Sequence, residues 1–276
     1  MWQRRALRAA AVGGTAFLGA VVASAWDLNS DPWADSVVDY APGVGANPAF
    51  LDPTTALGEP ERFTGEGVFP SAVTIFNPAF GTDELVSIGE GGSLTLAFDE
   101  PITDDPAHRF GVDLIVFGNG GFIDVDFPNG RIGSPAALFG VDLMNVSVSP
   151  DNVNWAPLGS FSEGLFPTQG YQDTPPQSPT PGSVPTSFQR PIDPSLTASD
   201  FDGLTYADAL ALYDGSGGGT PIDIAASGFA SIQFIRFENV TPGTTVEIEA
   251  VAAVPEPSGL VLGGAAFVGF ALRRKR

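Results

Sequence analysis

The stretch Ser93-Leu94-Thr95-Leu96-Ala97-Phe98 decides the fold class, because polar or small residues alternate with large apolar ones along it. Successive side chains of a strand point to opposite faces, so a period of two predicts a half-buried β-strand. Five further segments rich in β-forming residues lie between turn signals and are also predicted as strands: Val73–Phe76, Val112–Phe117, Val141–Ser149, Ser231–Glu238 and Thr245–Val251. Many short strands predict an all-β fold, an antiparallel β-sandwich or jelly roll.

The segments between the predicted strands contain little predicted helix, and they connect the strands into one predicted domain. The chain has 34 Gly and 25 Pro, which interrupt helical patterns and leave only Tyr206–Leu212 as a predicted short helix. Residues 166–194 are so rich in proline that a strand cannot cross them, and they are predicted as a surface excursion. Because strand-like sequence resumes at Ser231, we assign residues 57–251 to a single β-sandwich domain.

The body of the chain is strongly acidic. Residues 26–257 contain five Arg, no Lys and all 32 acidic residues, and the formal net charge of the chain is −20. Such a surface repels nucleic acid, which excludes nucleic-acid binding, but attracts divalent cations. The alternative is that the acidity only keeps an extracellular protein soluble. The absence of Cys excludes disulfides, zinc–thiolate sites and cysteine nucleophiles.

The N-terminus has the pattern of an export signal. Three Arg in the first eight residues precede an uncharged apolar run over residues 9–22. Ala23 and Ala25 then supply the small side chains that a signal peptidase accepts. Residues 1–25 are therefore predicted to form a signal helix that signal peptidase removes after Ala25; an uncleaved membrane anchor is the alternative. Residues 26–56, which include Trp26 and Trp33, are predicted as a leader segment.

The C-terminus combines three features in a fixed order. Pro255-Glu256-Pro257 is followed by an apolar run, predicted as a transmembrane helix over residues 258–272. Terminal cations complete the pattern and are expected to stay in the cytoplasm: Arg273, Arg274, Lys275 and Arg276.

This ending resembles the PEP-CTERM sorting signal, and we assign residues 252–276 to it. The resemblance implies recognition by an exosortase, cleavage near Pro255–Pro257 and transient anchoring in the inner membrane. It also implies a final place at the cell surface or outside the cell, in a producer of extracellular polysaccharide. The alternative is an ordinary membrane tail with a chance Pro-Glu-Pro.

Four segments in the middle of the chain resemble a bacterial cell-surface domain similar to discoidin-like, galactose-binding jelly rolls. They are SIGEGGSLTLAFDEPI (87–102), VDLIVFGNGGF (112–122), VDLMNVSVSPDNVNWAPLG (141–159) and GGGTPIDIAASGFASIQFIRFEN (217–239). That family often has Phe-Glu-Asn-Gly where this chain has Phe117-Gly118-Asn119-Gly120. The departure removes a ligand carboxylate from that position.

Several acidic and amide side chains are candidate calcium ligands, because Ca²⁺ prefers six to eight oxygen ligands. Asp124 and Asp126 are expected to face one side of an extended segment, and Asp223 matches an acidic position of the resembled domain. The predicted set is Asp113, Asn119, Asp124, Asp126 and Asp223. The alternative for these residues is a set of solvated turns.

The sequence gives little support for catalysis. The single histidine, His108, is predicted to lie in an exposed turn, and no nucleophile or phosphate-binding motif is present. Trp155 is predicted as a core residue. The leading hypothesis is a non-catalytic structural or polysaccharide-binding module of the cell surface or extracellular matrix. The alternative is an extracellular hydrolase acting on glycans through paired carboxylates.

Overall fold

The computed structural model describes residues 31–65 and 71–255, and within them the chain is mostly β. The strands, in chain order, are β1 (Ser36–Ala41), β2 (Phe63–Thr64), β3 (Ser71–Ala72), β4 (Val86–Gly89), β5 (Ser93–Thr103), β6 (Leu114–Gly118), β7 (Gly121–Phe122), β8 (Leu138–Phe139), β9 (Leu143–Ser149), β10 (Ala156–Ser162), β11 (Thr220–Ile222), β12 (Ser231–Glu238) and β13 (Thr245–Ala253). One α-helix, α1 (Tyr206–Tyr213), and four short 3-10 helices accompany them: Pro53–Ala56, Arg109–Gly111, Ala198–Phe201 and Ala225–Ser227.

Two antiparallel sheets form the body of the domain. The larger sheet has five strands in the order β1-β5-β12-β9-β10, and the smaller has four in the order β11-β6-β13-β4. The main core fills the space between them, since it contains Leu96 and Phe237 from the first sheet together with Val116 and Ile248 from the second. The predicted antiparallel all-β sandwich is therefore confirmed.

The strongest sequence patterns correspond to real strands. Ser231–Glu238 is β12 in full, and the alternating stretch that begins at Ser93 is the first part of β5. The predicted strand Val73–Phe76 is wrong, because Thr74 and Asn77 close a tight turn there. All four residues of the predicted strand are buried, so their largely apolar character reflects burial and carries no information on strand geometry.

The proline-rich segment 166–194 contains no named strand, and it does not project from the surface. Phe166, Phe188 and Ile192 are at most 2% exposed. Phe188 packs edge-on against Phe117, with ring centroids 5.2 Å apart, and so covers the outer side of the smaller sheet. The segment is therefore irregular backbone that packs against the side of the smaller sheet facing away from the larger sheet.

The region predicted as a leader segment is joined to the sandwich over its described part. β1 pairs with β5 as an edge strand of the larger sheet. Trp33 forms a bridge with Ala252, and Ala253 N donates to Pro32 O over 2.7 Å. Alternation along Ser36–Ala41 is weak, because an edge strand exposes most of its side chains.

The predicted signal helix over residues 1–25 and the predicted transmembrane helix over residues 258–272 lie outside the described residues. Within residues 31–65 and 71–255, no helix has the length and hydropathy of a membrane span.

Candidate functional site

Asp113 is the centre of a buried polar group at the start of β6. It is fully buried, and its Oδ1 lies 2.8 Å from His108 Nδ1 while its Oδ2 accepts from Ile224 N over 2.9 Å. Burial raises the pKa of Asp113, and the hydrogen bonds from Ile224 and His108 oppose that shift. The 3-10 helix Arg109–Gly111 folds the preceding histidine back onto this carboxylate.

The prediction that His108 lies in an exposed turn is wrong. The residue is 4% exposed and contacts Asp113 from the turn that joins β5 to β6. The polar residues around His108 do not predict this contact, because it depends on the turn that brings the Asp113 carboxylate to Nδ1 of the ring.

Two of the predicted calcium ligands are brought together, and a third carboxylate joins them. Asp104, Asp113 and Asp223 each offer one oxygen, and these oxygens lie within 4.8 Å of one another. The antiparallel pairing of β11 with β6 sets Ile222 opposite Leu114, so Asp223, which follows β11, lies beside Asp113, which precedes β6. Three hard oxygen donors in this arrangement suit Ca²⁺ better than a softer metal.

The other predicted ligands are elsewhere. Asn119 follows the far end of β6 and is separated from Asp113 by about 20 Å of extended chain, at roughly 3.3 Å per residue. Asp124 closes its own loop, since its Oδ1 accepts from Asp126 N and Arg131 N over 2.9 and 3.0 Å. Asp126 is exposed. Of the five predicted ligands, Asp113 and Asp223 are therefore the two that belong to this group of described carboxylates.

Trp155 is half-buried on the outside of the larger sheet, which corrects its prediction as a core residue. The Arg236 guanidinium lies 4.0 Å from the Trp155 ring centroid, and Arg236 Nε donates to Thr95 Oγ1 over 3.1 Å. Arg236 pairs with Thr95 on one side and Ser147 on the other, whereas the flanking Ile235 and Phe237 point into the core. We call the surface formed by Asn145, Ser147, Trp155 and Arg236 the Trp155 face.

A cavity of about 580 Å³ lies beside α1 and is lined in part by Gln172, Arg190 and Asp214. Asp214 is the only carboxylate among its lining residues within the described chain. Its Oδ2 lies 2.9 Å from Arg109 Nη2 and 2.6 Å from Arg190 Nη2. A glycosidase of the usual kind needs two carboxyl groups across the scissile bond, so this cavity gives the hydrolase alternative no pair to use.

The sandwich ends within the first residues of the predicted sorting signal, which we assign to residues 252–276. β13 ends at Ala253, and Val254 N still donates to Asp113 O over 2.8 Å. Pro255 is exposed, and Glu256 and Pro257 lie outside the described residues. Ala23, Ala25 and the cations at 273–276 also lie outside them.

Comparison with protein families gives one result for this end of the chain. Residues 253–276 match the model of the PEP-CTERM protein-sorting motif. The motif marks the chain as an exported protein that an exosortase sorts to the surface or the exterior of the cell. A search of curated proteins finds no match to the chain.

Proposed function

We propose that the β-sandwich is a non-catalytic module that binds extracellular polysaccharide at the Trp155 face. An exported protein handled by the exosortase route meets glycans once it leaves the cell. The stacked Trp155 and Arg236 pair is the observation that carries the proposal. Its ring offers an apolar surface to a sugar, and the guanidinium offers planar hydrogen-bond donors.

Polar groups beside the stacked pair support a glycan ligand. Ser160 Oγ donates to Asn145 Oδ1 over 2.6 Å, so a hydroxyl and an amide lie on the same strand pair that presents Trp155. Arg236 has no carboxylate partner among the described residues, unlike Arg62, Arg109 and Arg190. Its guanidinium therefore keeps donor capacity for a ligand hydroxyl or carboxylate.

Retention of the full chain on the producer's own polysaccharide tests the proposal. We expect Trp155→Ala to weaken binding about 30-fold, since truncating a central aromatic anchor removes about 2 kcal/mol or more. Phe127→Ala is the matched control, because Phe127 is 67% exposed and belongs to none of the larger sheet's strands. No retention of the unaltered chain, or equal losses in both variants, would overturn the proposal.

We also propose that signal peptidase cuts after Ala25 and that the exosortase acts near Pro255–Pro257, with the helix over residues 258–272 as a transient inner-membrane anchor. The exposure of Pro255 directly after the last packed residue, Val254, supports the second cut. Cleavage there leaves every strand of the sandwich in place.

Calcium is proposed as a ligand of the Asp104, Asp113 and Asp223 group. The convergence of the three carboxylates supports it, and Asn119, Asp124 and Asp126 are not included. A purely structural role in an acidic matrix is the remaining alternative to glycan binding. Calcium titration of the full chain tests this proposal, because Asp223→Asn should then bind one calcium fewer than the unaltered protein, and an unchanged calcium stoichiometry would overturn it.

A further inference from the structure

A second acidic group forms where four segments distant in sequence meet, at the other end of β6. The antiparallel pairing of β13 with β6 sets Ile248 opposite Gly118. Glu247 precedes Ile248 and Asn119 follows Gly118, so these two residues are neighbours across the strand pair. The Asn119 side chain is hydrogen-bonded to the Glu247 carboxylate. Asp142 N donates to Glu163 Oε2 over 2.9 Å, so the segment before β9 meets the segment after β10 at the same place.

Glycines allow these segments to approach so closely. A Cβ at Gly118 would lie 2.9 Å from Glu163 Cγ and 2.7 Å from Glu247 O. A Cβ at Gly120 would lie 2.8 Å from Gly164 O. Such distances exclude a side chain at either position. The Glu163 side chain can therefore pack against Gly118 because this residue has no Cβ.

Glu163 is buried with one oxygen left over. The residue is 0% exposed, and its Oε1 has no hydrogen-bond partner among residues 31–65 and 71–255. The same holds, within these residues, for Oδ1 of Asn119. A buried acceptor without a partner is unfavourable, and each such atom in a folded protein calls for an explanation such as an ion or a water.

The group also gathers negative charge that the protein does not neutralise. Burial raises the pKa of Glu163 to about 8 and the pKa of Glu247 to about 7, and the nearby Asp142 carboxylate adds to both shifts. The described residues contain no Lys, and their five Arg contact other groups: Arg62 at Glu59, Arg109 and Arg190 at Asp214, Arg131 at Gly203 O, and Arg236 at Trp155. Compensation for these carboxylates must therefore come from protons or from a bound cation.

We infer that Asn119, Glu163 and Glu247 form a binding site for a divalent cation, Ca²⁺, with Asp142 as a nearby negative charge. All three side chains offer hard oxygen atoms, the ligands that Ca²⁺ prefers, and the two unpartnered oxygens supply acceptors directly. A divalent ion beside the two glutamates also offsets the repulsion among the two glutamates and Asp142. The inference is independent of the glycan proposal and of the Asp104, Asp113 and Asp223 group.

Calcium titration of the purified full chain, followed by calorimetry and thermal melting, tests this site. At a calcium concentration about 100 times Kd, binding to the folded state alone should raise Tm by roughly 5–10 °C over the value in chelator. We expect Glu163→Gln to remove one bound calcium and the part of the Tm increase that belongs to it. In chelator the variant should melt no lower than the unaltered protein, because Gln keeps the shape of the side chain and is uncharged, as a carboxyl group with a pKa of about 8 largely is at pH 7.

Three further variants make the result specific to this site. Glu247→Gln should give the same loss, and it replaces Glu163→Gln if that variant does not fold. Glu100→Gln changes the charge equally at an exposed position and should leave both the stoichiometry and the Tm increase unchanged. Asp223→Asn should leave the calcium lost in Glu163→Gln still bound. Absence of calcium binding, or full calcium stoichiometry in Glu163→Gln and Glu247→Gln, would overturn the inference.

Discussion

Asp151 shows how one side chain fixes the turn that presents the Trp155 face. Its Oδ1 accepts from Val153 N and Asn154 N over 2.9 and 2.8 Å, and its Oδ2 accepts from Asn154 Nδ2 over 2.7 Å. These bonds lower the pKa of Asp151 to about 2. The turn joins β9 to β10, so the carboxylate organises the segment immediately before Trp155.

The lowered pKa of Asp151 predicts a specific acid response. A carboxyl group with a folded-state pKa below its unfolded value of about 3.9 stabilises the fold above that value, and the contribution is lost as the pH falls towards 2. We expect Asp151→Asn to lower Tm at pH 7 and to flatten the fall of Tm between pH 4 and pH 2. Asp126→Asn, at an exposed loop position, is the control. Parallel curves for Asp151→Asn and the unaltered protein would contradict this role.

Single residues were predictable only where the local pattern contains the information. The sequence singled out Asn119, and Asn119 lies in the inferred cation site. Its partners Glu163 and Glu247 were missed, because they reach it through the pairing of β13 with β6 and the packing of two loops. The one available signal was Glu247 within the apolar end of Thr245–Val251, where a charged residue would be expected to need a partner.

At the scale of elements, a second aromatic core joins α1 and the proline-rich segment to the small β7–β8 hairpin. Phe201 is its centre, with ring centroids 5.1 Å from Phe122, 6.2 Å from Phe166 and 6.1 Å from Tyr213. These four aromatic residues come from β7, the proline-rich segment, the 3-10 helix Ala198–Phe201 and α1, so their packing joins elements that belong to neither large sheet.

Removing the centre of this core should destabilise the domain strongly. Phe201 is 0% exposed, and truncation of a fully buried Phe to Ala lowers the free energy of unfolding by about 3–5 kcal/mol. We expect Phe201→Ala to show a loss of this size in equilibrium denaturant unfolding. Phe110→Ala removes the same atoms from a side chain that is 46% exposed, and it should change stability much less. Similar small losses for both would mean that the second core is not packed as described.

Elements were predictable to the extent that their periodicity is clean. The sequence predicts the start of β5 from its clear alternation and β12 from its many β-forming residues, and it predicts the helix α1, which runs one residue further than predicted. The prolines correctly predict that residues 166–194 contain no named strand, but the sequence does not predict that parts of this segment are buried. Its apolar residues are spaced irregularly, so no period connects Phe166, Phe188 and Ile192 to a common face.

At the scale of the whole molecule, the two ends of the sandwich lie side by side. Ala253 N donates to Pro32 O, and Trp33 bridges Ala252, so the first and last packed residues meet on the smaller sheet. The N-terminal and C-terminal ends of residues 31–255 therefore lie close together on the domain. β13 lies between β6 and β4 and is complete at Ala253, which allows the C-terminal segment to be removed without taking a strand from the sheet.

Intact mass measurement of the exported form and of the membrane-bound form tests the proposed processing most directly. We expect an exported chain that begins at Trp26 and ends near Pro255–Pro257, and a membrane-bound precursor that retains the segment through Arg276. An exported form that still spans Met1 to Arg276 would contradict it.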